Sequence, residues 1–537
     1  MYYPIKCPYC LRAHSNDTVR FRLYDAVEVS SKEARSVVIS SMEEDLYDED
    51  FISNENEDWE NDGAPEEKAE RPAGGERQAR ISEGKYYTFA ELKAFEGQGR
   101  ITIASSTGEE RQVSILNVKG EYKQVNALAT LTRDNSDNHY DGDLLTCVSL
   151  TIVEGDREKV LDIRDRYCDC DDGRKIHSSS GTVPSYVVLL MGASNSGKTV
   201  YLVSLYHELS RKGGYPLPPS ENPKESIARI SMTALSKGAM DTDIETMEAN
   251  QFREGKLPPT TVNMHNEPLL LDITVTCNHC DLPKKALLFM RDMPGEFLTN
   301  RDRQQEILRI ARQFPRFDGF MIMFDPMTFD ESVFISADTN TSLEQRKQIE
   351  RFRGVIVEHI SPLMDNNTIQ QPTVAIITKG DKFFSAENMR VLSNRNVSYS
   401  NPILTAHQRE SFDEHYFNEL DDGVKRILDV LSNNIDELVS TYFSTAFFTL
   451  GAALGKNPPG INEMEKTVDT PNAIKPWRVA DPLLRLLMRL NIIPPFDKTR
   501  MRETTGETEE ERKARKYKNR QALNEWGEKY YSGWKNL

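Results

Sequence analysis

The residues with the clearest capacity for chemistry form the loop 192–199, which reads Gly-Ala-Ser-Asn-Ser-Gly-Lys-Thr. It fits the pattern G-x-x-x-x-G-K-[ST], whose small residues let backbone N–H groups surround the β- and γ-phosphate oxygens of a nucleotide. An apolar run precedes it and a segment with helical spacing follows, so a helix N-terminus would face the same anion. We predict that Lys198 lies between phosphates and that the Thr199 hydroxyl ligates Mg²⁺. The predicted nucleotide-binding residues of this segment are Gly192, Asn195, Ser196, Gly197, Lys198, Thr199 and Val200.

A second candidate segment, Asp292-Met-Pro-Gly295-Glu296, follows the apolar run KALLFM. A carboxylate at the end of a buried strand beside the phosphate loop can hold a water of Mg²⁺. A glycine three residues later can offer its N–H to the γ-phosphate, so Gly295 would sense whether that phosphate is present. The alternative interpretation is a turn that uses Asp, Pro and Gly for their turn preferences.

A third segment, Thr378-Lys-Gly-Asp381, ends the apolar run TVAIIT. Guanine presents two adjacent donors that one carboxylate can accept together, and adenine lacks this pair. We therefore predict that Asp381 selects guanine and that the stem of Lys379 lies over the base. The alternative is a polar turn after a strand.

A fourth segment, Glu254-Gly-Lys-Leu-Pro-Pro-Thr-Thr261, carries two threonines on a loop. Either Thr260 or Thr261 could close on Mg²⁺ and the γ-phosphate and relax after hydrolysis, and Thr261 is favoured slightly. A linker stiffened by proline, with exposed threonines, is the alternative.

Strands and helices must bring these four segments together at one edge of a β-sheet. From about Pro184, apolar runs are separated by helical segments; the runs are YVVLLM, PLLLDITVT, KALLFMRD, GFMIMFD, TVAIITKGD and STAFFTL. Near-continuous apolar strands are typical of a sheet covered on both faces, which predicts an α/β fold.

Composition limits the possible partners and location. The net charge of −17 argues against a general surface for nucleic acid or anionic membranes. The first residues lack a charged start followed by an apolar run, and apolar stretches such as 443–454 are too short to cross a bilayer. We therefore expect a cytoplasmic protein without nucleic-acid or membrane partners.

Together G-x4-GKT, D-x-x-G and TKxD resemble the GTPase class of P-loop proteins, of the TRAFAC-like type, over residues 184–456. The resemblance implies GTP and Mg²⁺ as cofactors, Lys198, Thr261, Asp292, Gly295 and Glu296 as catalytic residues, and Lys379 and Asp381 as base readers. Thr199 and Asp292 would serve Mg²⁺. Glu296 stands where a glutamine commonly orients the attacking water. The loop 451–455 is the nearest match to the usual Ser-Ala base loop, where only a backbone N–H is needed.

More narrowly, the N-terminal cysteine pair, GxxxSGKTVYL, DxPGE, the pair Asp325-Pro326 and RVADPLLRLLMRLNII resemble the bacterial double-GTPase family, which is associated with multi-gene conflict or defence systems. This implies partners among other proteins of the same system. We expect a P-loop GTPase-like sheet flanked by helices, with an N-terminal module and a C-terminal helical extension. The predicted divisions are a zinc-ribbon-like module at 1–41 and 154–183, an acidic disordered insertion at 42–80, a small β-rich insert at 81–153, the GTPase-like domain at 184–456 and the extension at 457–537.

The cysteines suggest a structural zinc ion. Cys7-Pro-Tyr-Cys10 has the spacing of a zinc knuckle, in which two thiolates converge on a tetrahedral ion. Cys168-Asp-Cys170, with His177 nearby, is the favoured second half, although its spacing is unusual. Cys277-Asn-His-Cys280 has better spacing but lies in another predicted domain. Reduced thiols without metal are the alternative, and a redox role is less favoured.

The combined interpretation is a GTP-binding, GTP-hydrolysing switch. Two alternatives stay open at this point. One is a nucleotide-loaded scaffold with little hydrolysis, because Glu296 replaces the common glutamine. The other is an ATPase of another P-loop class, in which the TKGD segment is a coincidence.

Overall fold

The structure of the protein is a computed structural model that describes residues 2–29, 80–105, 107–125, 140–170, 173–193, 196–217, 228–235, 244–258, 268–277, 284–293, 308, 310–326, 350–384, 386–394, 411–412, 414–431, 435–462, 465–493 and 496–497. The predicted acidic insertion, apart from Arg80, and the charged tail after residue 497 lie outside these residues. Contacts divide the chain into two units. We name residues 14–124 and 143–178 the β unit, and residues 1–13, 125–142 and 179–537 the α/β unit.

Short elements dominate the first part of the chain. In chain order they are β1 (Ile5–Lys6), β2 (Ala13–His14), β3 (Arg20–Arg22), β4 (Val27–Val29), β5 (Arg80–Ser82), β6 (Tyr86–Thr88), α1 (Phe89–Lys93), β7 (Arg100–Ala104), β8 (Glu110–Lys123), β9 (Leu144–Glu154), β10 (Arg157–Ile163), β11 (Arg166–Tyr167) and β12 (Lys175–Ile176). The β unit contains a six-stranded sheet in the order β4-β10-β9-β8-β7-β5 and a four-stranded sheet in the order β12-β11-β3-β6. β8 and β9 form a long antiparallel pair, and β9 alternates buried and less buried residues from Val148 to Val153, as expected for a sheet with one covered face.

The remaining elements lie in the α/β unit. They are β13 (Ser185–Gly192), α2 (Lys198–Leu209), β14 (Tyr215–Leu217), β15 (Ala228–Ala234), α3 (Ile244–Ala249), β16 (Leu269–Cys277), β17 (Lys284–Asp292), β18 (Gly319–Phe324), β19 (Thr373–Ile377), α4 (Ala386–Asn394), β20 (Ser411–Phe412), α5 (Glu414–Leu431), α6 (Ile435–Tyr442), β21 (Ala446–Leu450), β22 (Ile461–Asn462), β23 (Thr467–Val468), α7 (Asp481–Arg489) and β24 (Phe496–Asp497). The 3₁₀ turns are Leu23–Asp25, Phe314–Arg316, Ser361–Leu363, Asp365–Asn367, Gly380–Phe384 and Pro471–Ala473, and the π-helical turns are Asn250–Glu254 and Ile356–Ile360.

An eight-stranded sheet in the order β14-β15-β16-β17-β13-β18-β19-β21 forms the centre of the α/β unit. The five strands from β17 to β21 in this order are parallel, and β14, β15 and β16 extend one side as antiparallel neighbours. All five residues of β19 and all six of β18 are buried, which explains their continuous apolar sequences. The predicted α/β fold class is confirmed.

Parallel strands bring their carboxyl ends to one edge, and ligand sites of open α/β sheets lie at that edge. The segments that leave this edge are the phosphate loop after β13, Asp292 at the end of β17, Asp325 after β18, the TKGD turn after β19 and the loop 451–455 after β21. The strand order therefore brings segments that are distant in sequence to the same edge of the sheet.

Helix α7 belongs to the interior of the α/β unit. Its residues Leu483, Leu484, Leu486, Leu487 and Met488 are fully buried. A Cβ on Gly319, at the start of β18, would lie 2.9 Å from Leu486 Cδ1, so the helix packs directly on this central strand. In the described part of the chain, no helix combines the length and apolarity needed to span a bilayer.

Candidate functional site

The phosphate loop connects β13 to α2 through a tight path. A Cβ on Gly192 would lie 2.8 Å from Ser196 Oγ and 2.9 Å from the Met323 carbonyl oxygen, so a larger residue would push the loop off β18. Gly197 has φ of 83°, in the left-handed region that glycine adopts without strain, directly before α2. The Ser196 hydroxyl is buried and has no hydrogen-bond partner in the described structure. A buried unpaired hydroxyl is costly, and its presence in this loop fits a site for a polar ligand.

Lys198 is held inside the same loop. Its Nζ donates to the carbonyl oxygens of Gly192, at 2.8 Å, and Ala193, at 3.2 Å. Burial lowers the pKa of Lys198, and the charge of Asp292 acts in the opposite direction. The ammonium group is therefore desolvated and faces the loop, where it would compensate the charge of a phosphate.

Asp292 lies beside the phosphate loop because β17 is the parallel neighbour of β13. Leu190 is its partner in the register, and the Met293 N–H donates to the Leu190 carbonyl oxygen at 2.9 Å. Thr199 and Val200 are half-buried in the first turn of α2. Five predicted residues lie outside the part of the chain that the structure describes, namely Asn195, Thr260, Thr261, Gly295 and Glu296.

The TKGD turn is tied to the phosphate loop by Thr378. Its hydroxyl donates to the Ser196 carbonyl oxygen at 2.7 Å and lies 3.1 Å from the Phe324 carbonyl oxygen. Lys379 follows with φ of 49°. Asp381 lies in the 3₁₀ turn Gly380–Phe384 and is half-buried. Burial raises the pKa of Asp381, so the ionised carboxylate would gain from N–H donors that replace lost water.

Asp325 is a site residue to which the sequence reasoning assigned no role. It follows β18, is 4% exposed in its side chain, and its carboxylate accepts a hydrogen bond from Lys379 Nζ at 2.6 Å. The lysine predicted to cover the base is thus held by a buried carboxylate. The signal was present, since Asp325 ends an apolar run in the same way as Asp292.

The loop 451–455 lies next to the TKGD turn. The Gly380 N–H donates to the Gly451 carbonyl oxygen at 3.0 Å. Ala452 and Trp477 exchange two backbone hydrogen bonds of 2.9 Å, so the segment that leads into α7 supports this loop. Lys456 Nζ lies 4.9 Å from the centroid of the Trp477 ring, which is a cation–π arrangement.

The first cysteine pair lies in the α/β unit. The Leu11 N–H donates to the Cys7 carbonyl oxygen at 2.9 Å, and Leu11 has φ of 62°, so the chain turns sharply after Cys10. Arg291 fixes this turn by donating to the Tyr9 carbonyl oxygen at 3.2 Å. Cys7 is buried and Cys10 half-buried. This local turn fits the predicted knuckle.

The second cysteine pair lies in the β unit. The Cys170 N–H donates to Cys168 Sγ at 3.2 Å, an arrangement that stabilises a thiolate. His14 Nε2 lies 3.3 Å from the same sulfur, so the structure places His14 in contact with this cysteine. His14, Cys168 and Asp169 offer ligand atoms within 4.8 Å of one another. None of the cysteines whose side chains the structure describes forms a disulfide. The alternative pair includes Cys280, which lies outside the described residues.

Comparison with known proteins gives a family match. Residues 186–431 match the model of the family described as Double-GTPase 2, which confirms the resemblance predicted from the motifs. No curated protein matches the chain. Among solved structures, the chain is similar to the signal recognition particle receptor SRb-GTP/SRX complex from Chaetomium thermophilum, with 15% identity, a TM-score of 0.22, and coverage of 52% of this chain and 94% of that chain. It is also similar to the S. cerevisiae Ski7 GTPase-like domain bound to GDP and inorganic phosphate, with 13% identity, a TM-score of 0.24, and coverage of 60% of this chain and 52% of that chain.

Proposed function

We propose that this chain, whose residues 186–431 match the Double-GTPase 2 family model, is a GTP-binding and GTP-hydrolysing switch. The observation that carries the proposal is the bond from the Thr378 hydroxyl to the Ser196 carbonyl oxygen. It joins the segment suited to a guanine base to the segment suited to phosphates at the same edge of one parallel sheet.

The residues of the site have separate tasks in this proposal. Lys198 and the N-terminus of α2 compensate phosphate charge. Asp381 accepts both guanine donors, and an adenine nucleotide would leave this desolvated carboxylate without partners. Thr199 and Asp292 would hold Mg²⁺, which supplies neutralisation of phosphate charge when bound.

Hydrolysis is the attack of water on the γ-phosphorus, with cleavage of its bond to the β–γ bridging oxygen to give GDP and phosphate. The family resemblance supports Thr261 and Gly295 as the residues that respond to the γ-phosphate, and Glu296 as the residue that orients the water. A single-turnover assay with wild type and Glu296→Ala tests this step. Product formation at the uncatalysed rate in wild type would instead support a nucleotide-loaded scaffold.

We propose a structural zinc ion in addition to GTP and Mg²⁺. Cys7 and Cys10 are the ligands predicted first, with Cys168 and Cys170 as the second pair. The support is local to each pair, namely the tight turn after Cys10 and the amide that donates to Cys168 Sγ. Zinc content measured on the purified protein and on Cys7→Ser tests the proposal. Equal zinc in both would exclude Cys7 as a ligand.

The setting of the switch is proposed from the sequence pattern and from the family resemblance. We place the protein in the cytoplasm, as part of a multi-protein bacterial defence system whose other members are its partners. Purification with a slowly hydrolysed GTP analogue and with GDP tests this idea. A partner that binds only one nucleotide state is the expected result.

Calorimetric titration with GTP and ATP in Mg²⁺ tests the central proposal. We expect GTP binding that is lost in Lys198→Ala and in Asp381→Ala. Lys212→Ala, an exposed lysine just after α2, and Asp429→Ala, an exposed aspartate on α5, are matched controls that should bind like wild type. ATP binding that equals GTP binding and survives Asp381→Ala would refute guanine recognition.

A further inference from the structure

The loop after β21 is a neighbour of the TKGD turn and has two backbone amides that donate to no described residue. The bond from the Gly380 N–H to the Gly451 carbonyl oxygen makes the loop and the TKGD turn direct neighbours. Three amides of the loop are already used, in the pairs Gly451 to Ile377 O, Ala452 to Trp477 O and Gly455 to Ala452 O. The amides of Ala453 and Leu454 donate to no residue that the structure describes, and both residues are only half-buried.

Two buried polar side chains fix the orientation of this part of the loop. The Ser204 hydroxyl, on α2, donates to the Ala453 carbonyl oxygen at 3.0 Å. Gln251 Nε2 donates to Ser204 Oγ at 2.8 Å. Both side chains belong to fully buried residues. Because the hydroxyl accepts from Gln251, its single proton is directed at the loop carbonyl.

Because the peptide between Ala453 and Leu454 is planar, the hydrogen bond from Ser204 also fixes the direction of the Leu454 N–H. In a trans peptide the C=O of Ala453 and the N–H of Leu454 point in opposite directions. The Ala453 carbonyl is turned toward α2, so the Leu454 amide is turned away from α2. The bonds of the Ala452 carbonyl oxygen to the amides of Trp477 and Gly455 fix the preceding peptide in the same manner.

Guanine carries an acceptor, O6, directly beside the N1–H that a carboxylate would accept. A reader of guanine therefore needs a donor next to Asp381. Building on the proposed GTP binding, we propose that Ser204, oriented by Gln251, is a positioning residue for base selectivity, which holds the Ala453 and Leu454 amides so that they can donate to O6. Ser204 and Gln251 lie outside every segment that the sequence motifs single out, whereas the loop 451–455 is the predicted base loop.

Nucleotide analogues separate this role from general stability. 6-Thio-GTP keeps N1–H and the 2-amino group, but sulfur accepts hydrogen bonds poorly, whereas ITP keeps O6 and lacks the 2-amino group. For the full chain in Mg²⁺, we expect Ser204→Ala to lower GTP affinity about three- to tenfold, the effect of one misplaced hydrogen bond. Affinity for 6-thio-GTP should change much less, so the preference for GTP over 6-thio-GTP falls. The preference for GTP over ITP, which reports on Asp381, should not change.

Two further variants keep the result interpretable. Gln251→Leu should shift the preference for GTP over 6-thio-GTP in the same direction by a smaller factor, which also covers the case that Ser204→Ala does not fold. Ser361→Ala removes another buried hydroxyl that donates to a loop carbonyl, that of Asn367 at 2.8 Å, and should leave the preference unchanged.

The outcomes separate the inference from the proposed function. An unchanged preference for GTP over 6-thio-GTP in folded Ser204→Ala and Gln251→Leu, or equal weakening of all three nucleotides, would overturn the positioning role while GTP binding by wild type stands. Absence of GTP binding by wild type would overturn the proposed function, and this inference with it.

Discussion

The pair formed by Asp325 and Lys379 allows a quantitative test of how the site is prepared for its base. In Asp325→Asn the lysine keeps a possible hydrogen bond but loses its charged partner, which lies 2.6 Å away in the native protein. The Lys379 side chain must then be ordered when the nucleotide binds. In wild type this loss of conformational entropy already occurs on folding, whereas in the variant it opposes nucleotide binding. We therefore expect weaker GTP binding.

The structure sets the size of the effect. A hydrogen bond between charged groups contributes about 1.5–3 kcal/mol. Asp325 is nearly fully buried, but the Lys379 side chain is 35% exposed, so water competes for the ammonium group and we reduce the value to about 1–2 kcal/mol. This corresponds to about a five- to thirtyfold rise in Kd for GTP.

Calorimetric titration of GTP into wild type and Asp325→Asn is the assay. Asp318→Asn is the matched control, because Asp318 directly precedes β18, as Asp325 directly follows it, and pairs with Lys6. Asp318 also accepts a hydrogen bond from the Val187 N–H at 2.6 Å, so the control should lower the midpoint of thermal unfolding without changing GTP affinity. Equal or tighter GTP binding by Asp325→Asn would refute the reasoning. The loss of repulsion between the Asp325 carboxylate and the phosphates would then outweigh the loss of Lys379 positioning.

Three further predictions concern pH, stability and packing. Because burial raises the pKa of Asp381 and guanine is read by its ionised form, GTP affinity should fall with decreasing pH in a window above the usual aspartate range. Calorimetry of wild type at several pH values checks this, and a constant affinity across that window would contradict it. Burial lowers the pKa of Lys198, so its protonated form destabilises the nucleotide-free fold at every pH below the usual lysine range. Lys198→Met should therefore raise the midpoint of thermal unfolding while abolishing GTP binding. A lower midpoint would contradict this reasoning. Leu486→Ala, in the buried helix α7, should reduce the free energy of unfolding by about 2–5 kcal/mol in urea, whereas a loss below about 1 kcal/mol would argue against its burial.

Much of the α/β unit could be predicted because its signals are local. The six apolar runs became β13, β16, β17, β18, β19 and β21. The parallel strands are largely buried on both faces and need apolar residues at consecutive positions, whereas the antiparallel strand β16 alternates buried and half-buried residues from Leu271 to Val275. Within the predicted helical extension 457–537, residues Asp481–Arg489 form the helix α7. The phosphate loop was recognisable because its glycines are required by a fixed local path, as the contacts at Gly192 show.

The partners of site residues were harder to predict. Ser204 interrupts the apolar run 200–206 and Gln251 lies among polar residues, but the sequence around each residue does not show which polar atom it contacts. Their burial follows from the packing of α2 against the loop 451–455 and against the turn 250–254. Such packing is set by which elements become neighbours, and a polar residue gives no periodic signal of it.

The sequence by itself determined the six apolar strands of the α/β unit and the segment suited to a phosphate, because the residue pattern along one strand or loop is enough to fix these features. Tertiary structure alone decided which distant residues meet. Lys379 and Asp325 are separated by 54 positions, Ser204 and Ala453 by 249, and Tyr201 and Val479, which share a 2.6 Å hydrogen bond, by 278. These contacts depend on the order in which parallel strands assemble, and strand order is a property of the whole sheet that no single segment encodes.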